Sequence, residues 1–305
     1  MGTPSTFWAY AALTTAAIVW GGSIVFQKLA LNSFSPVETS VLRGIGALAI
    51  LIPLWAWQEG GAVKWSANDW QLFALLGLAV LGNHLFTLFG LRYIAAGAAG
   101  VIIGASPVIT AFLSSLVIRD VPFRAVVAGC VMSFAGVALV SGEGAATPGE
   151  RPVLGGLLVV LALISWALYT VGSRRIMERF SPLTVNWTTL LISLLLQIPL
   201  LSVDQKALVT GISNVPLSGW LAMAYLIVFA TAIGQQAWLY GVRGVGPSRA
   251  GVFVNLIPVS ALILSAIVLG ERIGPREISG IGLIFAGVWL VNWQASRAVK
   301  REGDQ

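Results

Sequence analysis

The sequence predicts an all-α integral membrane protein of ten transmembrane helices, folded as two inverted five-helix repeats over residues 1–141 and 142–305. Three observations carry that prediction: an apolar composition, ten separated apolar runs, and an internal repeat with an odd number of runs per copy. Of 305 residues, 57% are hydrophobic and only 10% are charged. Soluble domains carry about 25% charged residues, so this chain lacks the polar material to cover a water-facing surface. Lipid is the solvent that remains.

A helix needs about 20 mostly apolar residues to cross the hydrocarbon. Apolar runs fall near 7–28, 36–57, 70–91, 95–118, 123–141, 153–173, 182–201, 217–240, 248–270 and 276–294. Lipid offers no partner to an exposed backbone N–H or C=O, so each run is read as helix. The first begins near Phe7 without a preceding basic segment, and reads as a span rather than a removed signal peptide. The longest polar gap, Ser202 to Pro216, is too short for a soluble domain. Basic residues in short loops set the orientation. With the N-terminus inside, eleven Lys and Arg fall on the cytoplasmic side and six outside, which puts both termini in the cytoplasm of an inner-membrane protein.

Composition also excludes function classes. The formal charge of +6 is spread in ones and twos between apolar runs, leaving no face for nucleic acid. Cys130 is the single cysteine, so neither an internal disulfide nor a thiolate metal site is expected. There is no glycine-rich phosphate loop, no intramembrane acid pair and no His-Glu cluster for hydrolysis. The chain is therefore expected to be neither an enzyme nor an ATP-driven pump, and to need no cofactor.

The repeat appears when the chain is slid along itself. At an offset of 146, Trp20 meets Trp166, Lys28 meets Arg174, and Phe34-Ser35-Pro36 meets Phe180-Ser181-Pro182. From the third run the offset is 151: Arg92 meets Arg243, Pro107 meets Pro258, Asp120 meets Glu271, and Phe134-Ala135-Gly136-Val137 meets Phe285-Ala286-Gly287-Val288. An insertion in the loop equivalent to Gln58–Asp69 accounts for the change. Five spans per copy is odd, so the second copy enters the membrane upside down. Inverted repeats are the architecture of secondary transporters, with the substrate site near the midplane between halves.

Val19-Trp20-Gly21-Gly22-Ser23 with Lys28, Arg43 in the second run, the Pro107 and Pro258 helices, and Leu269-Gly270-Glu271-Arg272 together resemble the EamA-type family of the drug/metabolite transporter superfamily. The resemblance covers nearly the whole chain as two EamA-like units. It implies ten helices and export of small metabolites, amino acids (aromatic ones included) among them, by alternating access. The first copy departs from the pattern, with Arg119-Asp120 where the second has Glu271-Arg272. Efflux of drugs or cations, and a non-transporting receptor or assembly factor, are the alternative functions. The partners expected are a small-molecule substrate and the bilayer, in an oligomeric state the sequence does not specify.

Particular residues then become candidates. Arg43 lies seven residues past Pro36, roughly 10 Å along a helix, where an ionisable group is costly and by default functional. A gate or a structural cation bonded to helix-end carbonyls are its readings, and any partner must come from another span because Glu38 is misaligned at i,i+5. Lys28 and Arg174, at the ends of the first and sixth spans, either snorkel or serve as gate contacts. His84, the single histidine, and Asn83 share their depth with Gln235 in the second copy; they either meet substrate or bond a neighbouring helix. Trp20, Ser23 and Gln27 form one helical stripe, and Trp166, Tyr169 and Ser173 its counterpart. With Trp238, they suit either a cavity for an amphipathic solute or packing. Ser106 and Asn255 join them as substrate contacts, beside Pro107 and Pro258 as hinges. Gly97, Gly100 and Gly104 are spaced for close helix approach. Glu38 and His84 are the groups that proton coupling would use; the expected mode is downhill facilitation or weak coupling.

Overall fold

Serine followed by proline opens two helices in equivalent ways. Ser35 accepts the Glu38 N–H through its side chain while Glu38 accepts the Ser35 N–H, a reciprocal cap that starts α2, Pro36–Gln58. Ser181 caps Thr184 and starts α6, Pro182–Gln197. In both, the proline occupies the first turn, where its missing N–H costs nothing. In the computed structural model, residues 6–60, 65–106, 151–206, 211–245 and 252–303 are described, with single or short stretches between 109 and 139 and at 250.

The remaining helices are α1, Thr6–Ala30; α3, Ala67–Gly90, with a Ser66–Asp69 capping box; α4, Ala96–Ile103; α5, Pro152–Ile176; α7, Leu217–Val245; α8, Leu256–Leu269; and α9, Pro275–Gly303. Helix α6 continues as a 3₁₀ turn, Ile198–Ser202. The middle of α7, Leu226–Gly234, widens into π-helix. Helix α4 has no side-chain cap of its own; the Glu271 carboxylate arrives from beyond α8 and accepts the Ala96 and Gly97 N–H groups, both at 2.9 Å. Helix α8 ends at Gly270 with φ 66°, a left-handed stop that glycine adopts without strain.

Among the described residues the structure is helical, without strands, and six helices are long and apolar enough to cross a membrane: α1, α2, α3, α5, α6 with its 3₁₀ extension, and α7. Helix α8 is a shorter apolar one. The expected fifth run, 123–141, lies mostly outside the described residues; its described positions are helical. Large apolar side chains such as Leu75, Leu78, Leu157, Leu161 and Leu221 point outward, as lipid contact requires.

In lipid, helices associate through close packing and interhelical hydrogen bonds, because the tails are as apolar as leucine. The core follows that rule. Ala16, Ala17, Ala98, Ala99, Ala105 and Ala261 are buried alongside Ile24, Ile102, Leu163 and Leu239. Gly97, Gly100 and Gly104 all face α8: a methyl group on Gly100 would collide with that of Ala261, and one on Gly104 would lie 3.0 Å from Pro258. Helix α1 packs on α7 and α8, α3 on α5 and α6, α2 on α6 and α7, and α4 on α5 and α8. The described helices of the first part of the chain are thereby folded against those of the second.

Candidate binding cavity

Near the middle of the bundle these helices part around a cavity with about 100 Å³ open to the centres of water-sized molecules. Trp20, Ser23, Ile24 and Gln27 of α1 form one wall, so the predicted stripe faces inward intact. Arg43 of α2, Asn83, His84 and Thr87 of α3, Ser106 beyond α4, Leu163 and Trp166 of α5, and Gln235 of α7 complete the polar and aromatic lining. A small side chamber adds Asn186 and Thr189 of α6 and Thr231 of α7.

The aromatic wall is a connected cluster. The rings of Trp20 and Trp166 meet edge to face at 5.2 Å, Trp20 and Trp238 lie 5.3 Å apart, and Trp166 and Tyr169 lie 5.4 Å apart. Such pairs contribute about 0.5–1.5 kcal/mol each beyond their burial. Trp20 donates its indole N–H to the Ala230 carbonyl at 3.1 Å. A Cβ at position 234 would stand 2.9 Å from that indole nitrogen, so Gly234 is what lets Trp20 approach α7.

The π-helix explains the acceptors found there. Widening the ladder sends the Thr231 hydroxyl to the carbonyl of Leu226, five residues back, at 2.8 Å. Arg43 Nε donates to the Thr231 oxygen. Asn83 is oriented by donating through its side-chain amide to the Ala162 carbonyl at 3.1 Å, while its backbone carbonyl accepts from Thr87 at 2.7 Å. Among the described residues, buried His84 Nδ1 meets no hydrogen-bond partner.

Of the candidates read from sequence, Trp20, Ser23, Asn83, His84, Ser106, Trp166, Gln235 and Arg43 line this one space. Trp238 stands behind Trp20 and Trp166. Tyr169 is fully buried under Trp166 in a separate cluster with Phe73, Val80 and Ile176, so the stripe on α5 contributes Trp166 alone. Asn255 also lies off the lining; its side-chain oxygen is buried without a partner among the described residues. Pro258 is buried in α8 against Gly104. Pro107 and the side chain of Arg174 are outside the described residues. Lys28 is not among the cavity's lining residues: its ammonium donates to the Leu91 and Ile94 carbonyls, at 2.6 and 2.9 Å, closing the turn after α3. Glu38, also outside the lining, takes part in the cap that starts α2. Its carboxylate accepts the Ser35 and Lys206 backbone N–H groups, at 2.7 and 3.0 Å, at the end of α2. Thr231 was not singled out from sequence. Its signal was there, as the one hydroxyl in the run Leu226–Gly234.

Both ends of the bundle are tied between the first and second parts of the chain. At one end Ser35 donates to the Asp204 carbonyl at 2.8 Å, and Lys206 donates to the Leu31 and Asn32 carbonyls. Arg92 and Asp204 pair there at 3.6 Å. At the other end Thr184 donates to Glu59 at 2.9 Å, Trp55 donates to Thr184, and Arg179 pairs with Asp69 at 2.5 Å.

Two stretches, 7–142 and 153–293, each match the EamA-like transporter family. The chain belongs to that family. It is a multi-pass membrane protein, and family membership makes it a small-molecule transporter. An uncharacterized transporter of Archaeoglobus fulgidus is 27% identical over 287 residues, covering 93% of this chain and 98% of its own. A Bacillus subtilis transporter, YyaM, is 27% identical over 282 residues, covering 92% of each chain. A probable terminal-alkyne amino-acid exporter of Streptantibioticus cattleyicolor is 24% identical over 286 residues, covering 92% of each. Among solved structures, a crystal structure with a TM-score of 0.68 over 95% of this chain and 98% of its own, at 20% identity, has a similar fold.

Proposed function

We propose that this EamA-family protein is a secondary transporter that exports small amphipathic metabolites, amino acids first among them, by alternating access between two inverted five-helix halves, residues 1–141 and 142–305. It lies in the inner membrane with both termini cytoplasmic. The observation that carries the reading is the cavity: Trp20 and Trp166, repeat equivalents, meet at its wall, and both halves supply its polar groups.

The helix contacts support the two-fold relation. Exchanging α1, α2, α3 and α4 for α5, α6, α7 and α8 turns the α1–α7 contact into α5–α3, α1–α8 into α5–α4, and α2–α7 into α6–α3. Each of those exchanged contacts exists. A duplicated unit inserted in opposite senses produces this pattern, and rocking one half on the other would expose the midplane site to each side in turn. Trp20, Ser23, Asn83, His84, Ser106, Trp166 and Gln235 contact the substrate, with Tyr169 and Trp238 backing the aromatic wall.

Efflux of cationic drugs is the second reading. It fits less well, because Arg43 is the charged side chain among the described lining residues and would repel such cargo. Counterflow in proteoliposomes distinguishes the readings. Exchange of aromatic and aliphatic amino acids is the expected result. Flux of lipophilic cations alone would favour the drug reading, and the absence of any flux would favour a receptor or assembly role.

A further inference from the structure

We infer that Arg43 is the carboxylate anchor of the cavity, so that the occupant carries a carboxylate group next to an apolar or aromatic body. The inference rests on the cavity being the substrate site and adds the substrate's charge and the residue that reads it.

Four observations converge. Arg43 is 8% exposed and lines the cavity, yet no acidic side chain lines that space among the described residues. Its nearest acid in sequence, Glu38, is committed to the Ser35 and Lys206 backbone at the end of α2. A bare cation at such depth is costly, so an anion from the occupant offsets a penalty that these side chains leave open.

The guanidinium is also oriented. Nε is held by Thr231, whose own hydroxyl proton is used on the Leu226 carbonyl of the π-helical stretch. With Nε fixed, the two terminal nitrogens have no hydrogen bond among the described residues and form the fork that receives a carboxylate in bidentate fashion. A purely structural arginine would spend those donors on helix-end carbonyls, as Lys28 does at Leu91 and Ile94. His84 and Asn83 are further polar residues of the same lining. Trp20 and Trp166 supply the apolar wall for the rest of it.

The test uses the full chain in lipid nanodiscs and reads its thermal unfolding midpoint with added 3-phenylpropionate, 3-phenylpropionamide, phenylalanine and phenylalaninamide. The two acids should raise the midpoint and the two amides should not. Arg43→Gln should abolish that discrimination and weaken acid binding about tenfold to a hundredfold, the range for losing a charged hydrogen-bonded pair. Thr231→Val should weaken it less, because the charge remains and only its orientation is lost. Equal stabilisation by acids and amides, no stabilisation by either, or discrimination that survives Arg43→Gln would overturn the inference. If Arg43→Gln fails to fold, Arg43→Lys decides: severalfold weaker acid binding supports the anchor, and unchanged binding refutes it. Binding is read without flux. Acid-selective binding with no counterflow would therefore sink the transport reading and leave the anchor standing, whereas flux without acid selectivity would do the reverse.

Discussion

The two ends of the bundle are tied by equivalent stretches of chain in unlike chemistry. Where α1 gives way to α2, the elbow around Ser35 is gripped by the loop carrying Asp204 and Lys206. Where α5 gives way to α6, the elbow around Ser181 is gripped by the residues flanking the α2–α3 loop, Glu59 and Asp69. Each tie joins an elbow of one half to a loop of the other, and each contains one Arg–Asp pair. The helix starts are alike, Ser-Pro in both, but the fourth residue differs. Glu38 completes its own cap and accepts the Lys206 N–H, whereas Thr184 must borrow a carboxylate from Glu59. The geometry of the duplicated unit outlasted its residue identities, because helix ends need a partner and are indifferent to which residue supplies it.

That comparison can be broken in four ways, from the largest effect down. Under alternating access the two ties open in turn, so fixing either one should stop turnover. In a Cys130→Ser background, Thr184→Cys with Glu59→Cys, or Ser35→Cys with Asp204→Cys, bridged by a short bifunctional thiol reagent, should reduce counterflow more than tenfold. Flux that survives either bridge would remove the ties from the transport cycle.

The caps come next. Glu38→Ala removes an acceptor for two backbone N–H groups and should lower stability by about 2 kcal/mol, while Thr184→Ala should cost nearer 1 kcal/mol. Both are measured by denaturant titration in detergent, and equal losses would erase the asymmetry. Third, Arg179→Gln should lower the unfolding midpoint slightly, and the loss should shrink at high salt because half of the Arg179 side chain is exposed. A double-mutant cycle with Asp69→Asn isolates the pair. Arg92→Gln should have the smallest effect, since its partner is 3.6 Å away and its side chain is 41% exposed. A larger loss from Arg92 than from Arg179 would invert the ranking of the two ends.

Much of the site was legible before any coordinates. Depth alone flagged Arg43 and His84, because an ionisable group far from a helix end is expensive in lipid. The i, i+3, i+7 spacing put Trp20, Ser23 and Gln27 on one face, and all three line the cavity. The same arithmetic applied to Trp166, Tyr169 and Ser173 yields one lining residue, because Tyr169 packs with Phe73 and Leu76 of α3 and Val185 of α6, and Ser173 bonds the Thr170 carbonyl of its own helix. Periodicity says which side chains share a face, and only packing says what that face meets. Glu38 shows the limit from the other direction: in sequence it is an intramembrane acid, in the fold it is a helix cap.

The sequence by itself determined the solvent, the helical runs, their capped starts at Ser35, Ser66 and Ser181, and the repeat that brings Trp20 and Trp166 into correspondence. Those features depend on composition and on contacts within a few residues, which the order of residues specifies directly. Only the tertiary structure decided that Arg43 is held by Thr231, that Trp20 bonds the Ala230 carbonyl, and that Lys28 closes a distant turn. Each joins groups more than sixty residues apart in the chain. Two of them end on the π-helical stretch Leu226–Gly234, at Ala230 and Thr231.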